Sequence, residues 1–188
     1  MRGLMTGTMA LVLVAGAGVV AQQQAPPKMG FTLTSPAFPD GGEIPVKYTS
    51  ANPPGAVSLP LAWSNAPAGT ASFVMMFHDP DVAFQKKAED ILHYMVFNIP
   101  GTATSLAEGV PAEATLPDGS IQPKNFRGQP GYLGPGAPAP GPHHHYTWML
   151  YALDTKLTLG PDATRADVTA AMNGHILGKA VFFGRFHR

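Results

Sequence analysis

The segment GPHHHYTWMLYALD, Gly141 to Asp154, changes character halfway along. It opens on turn-forming residues and three consecutive imidazoles, then becomes an alternating run from Tyr146 to Leu153. Successive side chains leave a strand on opposite faces. Tyr146, Trp148 and Leu150 therefore share one face, and Thr147, Met149 and Tyr151 the other. This period of two predicts a β-strand. The same rule divides the histidines, because three adjacent ones cannot all point inward. His143 and His145 fall on one side, and His144 on the side of Tyr146.

Three more apolar runs are similar: ASFVMMFHD (71–79), LHYMVFNIP (92–100) and KAVFFGRF (179–186). Gly (21) and Pro (20) are spread between such runs, except for the cluster GQPGYLGPGAPAPGP (128–142). Short strands punctuated in this way predict an all-β sandwich with one or two short helices. One helix has a clear start, since Thr164 with Asp167 forms a capping box. Val168, Ala171 and Met172 follow at helical spacing, and Gly174 is the stop. AFQKKAEDI (83–91) reads as a weaker helix or a loop.

The N-terminus reads as a leader. Arg2 is its only charge, MALVLVAGAGVV (9–20) is apolar and small, and the cleavage position follows Ala21. The run is too short for a bilayer span of about 20 residues. The expected organisation is a signal peptide over 1–21, a polar tether over 22–29 and one domain over 30–188. The mature protein would be periplasmic or secreted, without stable membrane insertion. There is no Cys, so no lipid-modified cysteine is available and the domain depends on packing alone. Its length is sufficient to bury about 70% of the unfolded chain's surface. Twelve basic residues balance twelve acidic ones, which excludes the basic footprint of a nucleic-acid binder. Any anion site must be local.

Polar groups gather at strand ends. Asp79-Pro80-Asp81 closes the 71–79 run, His93 opens the 93–99 run, and His143 to His145 open the 146–153 run. If these strands are neighbours, the ends converge. Three chemistries then compete. An anion pocket would use imidazole N–H, glycine N–H and the Tyr146 hydroxyl as donors, with an Asp holding one His in its donor tautomer and raising its pKa. A metal site would use the same His and Asp, although no HExxH-type spacing is present. Nucleophilic catalysis lacks both a GxSxG elbow and a Cys. His78, His175 and His187 read as ordinary solvated or hydrogen-bonded residues. Trp148, Phe182 and Phe183 read as core.

Five segments, in order, resemble the phosphatidylethanolamine-binding protein family in its bacterial Raf-kinase-inhibitor-like (YbhB/YbcL) branch. They are LTSPAFPDGGEIPVKYT, LPLAWSNAPAGTASFVMMFHDPD, HYMVFNIP, GYLGPGAPAPGPHHHYTWMLYALD and AMNGHILGKAVFFGRF, which together span about Phe31 to Arg188. The resemblance implies a β-sandwich of two antiparallel sheets with a small preformed pocket for phosphate, phosphorylethanolamine or similar anions. It assigns ligand binding to Asp79, His93, Gly134, Pro135, Pro138, His144 and Tyr146, with Asp81 and His145 secondary. His145 stands where the family usually has Arg, which exchanges a fixed cation for one that titrates. Phe186 stands where the family has a hydroxyl-bearing aromatic. The function expected is that of an exported binding protein for a small phosphate-bearing or other anionic ligand. It is not an enzyme, needs no cofactor or metal, and loses affinity as imidazoles deprotonate. The alternatives are a protein-interaction module inhibiting a kinase or protease, and, behind it, a metal-dependent hydrolase.

Overall fold

The computed structural model describes residues 30–82, 86 and 88–188. The expected signal peptide and tether lie outside the described residues. So do residues 83–85 and 87 of the expected helix or loop at 83–91, where described residues 86 and 88–90 are not helical.

Seven strands make two antiparallel sheets. In chain order they are β1 (Thr32–Thr34), β2 (Leu61–Ser64), β3 (Ser72–Asp79), β4 (Ile91–Pro100), β5 (Ser105–Leu106), β6 (His144–Leu153) and β7 (Ile176–Phe186). The small sheet has the order β1-β2-β5 and the large one β4-β3-β6-β7. A 3-10 turn covers Val46–Tyr48, and one helix, α1, covers Arg165–Met172. This is the expected sandwich, with the four anticipated strands forming the whole large sheet.

The alternation along β6 becomes the two sides of that sheet. Tyr146, Trp148 and Leu150 are buried in the main core, while Thr147, Met149 and Tyr151 are only partly covered. Strand β3 lacks alternation because both of its faces are covered. Phe73, Met75 and Phe77 enter the core between the sheets. Val74 and Met76 enter a second cluster with Val168 and Met172 of α1. The helix starts at the expected capping box: the Thr164 side chain accepts from Asp167 N–H, and the Asp167 carboxylate accepts from Thr164 N–H. Gly174, at φ 84°, takes the left-handed conformation that ends it.

Two features of the large sheet prepare a site. Strand β3 is antiparallel to both β4 and β6, so the end of β3 and the starts of β4 and β6 lie at one edge. Phe77 stacks on Trp148 with centroids 4.1 Å apart and planes within 4°. This fully buried pair is the platform beneath Asp79, two residues after Phe77, and Tyr146, two residues before Trp148, each on the same face as its neighbour in the pair. Burying one such side chain contributes about 1.5–3 kcal/mol.

Candidate functional site

Asp79 is 2% exposed, so its carboxylate needs partners for both oxygens. Oδ1 accepts the N–H of Asp81 at 3.0 Å, the turn that Asp-Pro-Asp favours. Oδ2 accepts Nδ1–H of His144 at 2.8 Å. The second acid repeats the pattern one residue outward. Asp81 Oδ2 accepts from the backbone N–H of His145 at 2.6 Å and faces its Nδ1 at 3.1 Å. The Asp-Pro-Asp turn thus clamps two consecutive histidines of β6. His143 points away, with Nε2 3.0 Å from Glu43, and its ring packs on His187. The division of the three histidines follows the strand period.

His93 reaches the same place by an irregularity. Phe77 pairs with Tyr94, yet His78 pairs with Leu92, so His93 is the extra residue of a β-bulge. The bulge lets His93 and Tyr94 both turn to the inner side. His93 is 6% exposed and lies between Phe77 and Tyr146, with centroids at 5.1 and 5.3 Å. Its Nδ1–H donates to the Leu133 carbonyl at 2.8 Å, so Nε2 is the nitrogen left for the cavity. Burial pushes its pKa below the ordinary 6.5, against the opposing Leu133 carbonyl and Asp79 charge. The Asp79 charge acts to raise the His93 pKa, in the expected direction, but burial outweighs it. Asp79 spends its hydrogen bonds on His144 and Asp81, and desolvation keeps His93 neutral.

Tyr146 also departs from expectation. Its hydroxyl oxygen accepts from the N–H groups of Gly136 and Ala137, each at 3.0 Å. Burial, then the charge of Asp79, holds its pKa far above the ordinary 10, so the hydroxyl stays protonated. Tyr146 fastens the 134–138 loop to the sheet, and of the loop N–H groups those of Gly136 and Ala137 are used there. Pro135 differs as well. Its carbonyl accepts Ser50 N–H at 2.8 Å, which ties the loop to residues 49–50, and it does not line the cavity. Gly134 is required by close approach: a Cβ there would meet Ala56 Cβ at 2.4 Å and Ser50 N at 2.8 Å.

The result is a cavity of about 420 Å³. Asp79, Asp81, His93, His144 and Tyr146 face it, as do Gly134 and Pro138. Ile91, Val82 and Phe126 give it an apolar flank. Among the described residues, no group of three or more His, Asp or Glu side chains is arranged to hold a metal ion.

The family model for phosphatidylethanolamine-binding protein matches residues 34–187. The chain belongs to the phosphatidylethanolamine-binding protein family. A UPF0098 protein of Methanothermobacter thermautotrophicus is 41% identical over 156 residues, covering 83% of this chain and 98% of the relative. The lipoprotein-named LppC of Mycobacterium tuberculosis is 35% identical over 170 residues, or 89% of this chain and 78% of that one. Among solved structures, E. coli YbcL matches with a TM-score of 0.75 and 27% identity, covering 85% of this chain and 99% of that chain. These relatives put the chain in the YbcL-like branch of the family.

Within this family frame, the exchange of Arg for His145 acquires a structural meaning. At position 145 Asp81 meets both an imidazole, 55% exposed, and a backbone N–H. Three polar or charged side chains of the cavity wall lie outside the sequence reading: Ser50, Arg127 and Arg188. Arg188 is held twice, by its N–H on the Ala137 carbonyl at 3.1 Å and by Nη2 on Ser50 Oγ at 2.9 Å. No local signal marks it, because its role depends on β7 returning beside the loop. Arg127, in NFRGQPGY, adjoins the Gly/Pro cluster and had a positional signal that went unused.

Proposed function

We propose that this protein is an exported binding protein whose cavity holds a small ligand through a phosphate or similar anionic group. The observation that carries the reading is convergence. An acid–imidazole pair (Asp79–His144), a second imidazole (His93) and two guanidinium groups (Arg127, Arg188) surround one preformed hollow. Preformed, partly apolar cavities with a few directed polar groups are typical of small-ligand sites. His144 gives its Nδ1–H to Asp79, which leaves Nε2 as the ring nitrogen for the ligand. The names of the relatives point toward phosphatidylethanolamine, and the shared chemistry is its phosphate. Export rests on the leader-like 1–21 segment and on the lipoprotein name of LppC.

Isothermal titration of the domain with inorganic phosphate and with phosphorylethanolamine tests the reading. Binding to at least one is expected, and His144→Ala should weaken it about tenfold, the value of one charge-assisted hydrogen bond. No heat with either ligand would refute the anion pocket. Fractionation of cells expressing the full chain tests export: a mature form beginning at Gln22, outside the cytoplasm, is expected.

A further inference from the structure

Phosphate and sulfate are both tetrahedral oxyanions of similar size, and an array of positive charge alone separates them poorly. They differ in one respect that a site can read: hydrogen phosphate carries a proton to donate, and sulfate does not. A hydrogen-bond acceptor fixed in the floor of an anion site therefore accepts the first and repels the second. An unpaired or opposed polar group in a dry site has a large effect on binding.

The floor of this cavity holds such an acceptor. His93 donates Nδ1–H to the Leu133 carbonyl, which can only accept, so in the neutral ring Nε2 carries a lone pair. The ring is fixed on three sides, by that bond and by contacts with Phe77 and Tyr146. It cannot turn its N–H inward without abandoning a buried carbonyl. Tyr146 keeps its O–H, but the Asp79 carboxylate is a hydrogen-bond partner for it. Burial disfavours the protonated ring that would convert Nε2 to a donor. Positive charge lies elsewhere. Arg188, held on Ser50 and Ala137, and Arg127 line the cavity together with the acids Asp79 and Asp81. The formal charges of these four side chains cancel, so the cavity is not a general sink for anions.

We propose that the cavity selects a protonated phosphate group over sulfate, with Arg127 and Arg188 attracting the anion and Nε2 of His93 accepting its proton-bearing oxygen. The proposal deepens the anion-pocket reading and rests on it. Arg188 and His93 thereby have separable tasks: the first sets how tightly any oxyanion is held, the second which one.

The test is competitive isothermal titration with sodium phosphate and sodium sulfate at about pH 8, where exposed imidazoles are neutral and both ions are mainly dianions. Phosphate is expected to bind at least about tenfold more tightly than sulfate, the effect of one opposed hydrogen-bonding group. His93→Gln, whose amide can donate to Leu133 and still present an oxygen, should keep the ratio; His93→Leu should bring it toward unity. Arg188→Gln should weaken both ions by a similar factor and leave the ratio unchanged. Equal affinity of the unaltered protein for the two ions overturns the proposal but leaves the anion pocket standing. Binding of neither ion nor phosphorylethanolamine overturns the anion pocket itself. Should His93→Leu fail to fold, as a thermal melt would reveal, the ratio in the unaltered protein still decides.

Discussion

Asp79→Asn isolates what the buried carboxylate does. Asparagine keeps the shape and one carbonyl oxygen, so the N–H of Asp81 retains an acceptor. The other oxygen becomes an NH2 group facing Nδ1 of His144 across a gap that is now 2.8 Å. Two donors cannot share that gap, so His144 must move its proton to Nε2 and accept at Nδ1. The charge-assisted bond lost is worth about 1.5–3 kcal/mol. His144 is only 16% exposed there, so little of this is screened by solvent. For a domain of about 150–250 residues each kcal/mol shifts Tm by about 2–4 °C, which gives a fall of about 3–12 °C. Long-range ¹H–¹⁵N correlation of the His144 ring reads the tautomer directly, and calorimetry reads Tm. A ring that stays Nδ1–H with an unchanged Tm would refute the claim that Asp79 sets the state of His144.

The remaining predictions follow from single contacts. Tyr146→Phe leaves the N–H groups of Gly136 and Ala137 without their acceptor, at about 1–3 kcal/mol each; hydrogen exchange at these two amides should quicken while β6 amides stay protected. Gly134→Ala forces a Cβ against Ala56 and the Ser50 backbone, and should lower Tm and phosphate affinity together in calorimetry and titration. The folded pKa of His93 is depressed below 6.5, so its neutral burial contributes stability that is present above that pH and lost as pH falls through the folded value. Melts between mildly alkaline and mildly acidic pH should show this loss, and His93→Gln should reduce it. His145→Arg should change stability by no more than about 1 kcal/mol in chemical denaturation, because the pair with Asp81 is largely exposed.

The parts legible in the sequence were those with a local signal. Alternation from Tyr146 to Leu153 predicted β6 and divided the histidines correctly, and Thr164 with Asp167 predicted the start of α1. Strands β1, β2 and β5 have three, four and two residues, too few to display any period, and went unread. At the site, alternation predicted which of residues 143–145 faces inward, and the gathering of polar groups at strand ends, together with the family resemblance, pointed to Asp79, His93 and Tyr146. It did not supply their hydrogen-bonding states. The neutral ring of His93 depends on a bulge set by register between β3 and β4, which appears only when the two strands are paired. Tyr146 reads as a ligand donor when its hydroxyl is considered alone; in the fold its oxygen also accepts two loop N–H groups, a second task that no local pattern announces. Arg188 entered the wall through a contact with Ala137, 51 positions earlier in the chain, for which sequence pattern holds no trace.

Strand ends are poor places to hold a binding geometry, because ladders fray there. This fold counters the problem from behind. His78 and Asp79 are adjacent on β3 and so face opposite sides of the sheet. While Asp79 turns to the cavity and holds His144, His78 turns to the α1 side and pairs with Asp90, which also accepts Arg165 Nη1 from the helix. Burial alone would raise the pKa of Asp90, but the bonds from His78 and Arg165 prevail and hold its carboxyl well below the ordinary range. It therefore remains an anion, and the three-way contact persists at neutral pH. Asp90 immediately precedes β4, and His93 is three residues on. The back-face contact thus ties the end of β3, the start of β4 and the first turn of α1 into one unit, at the edge where the front face presents Asp79 and His93. Positioning of the cavity wall is in this way divided between two adjacent side chains of one strand, the first fixing the backbone and the second fixing the ring that faces the cavity.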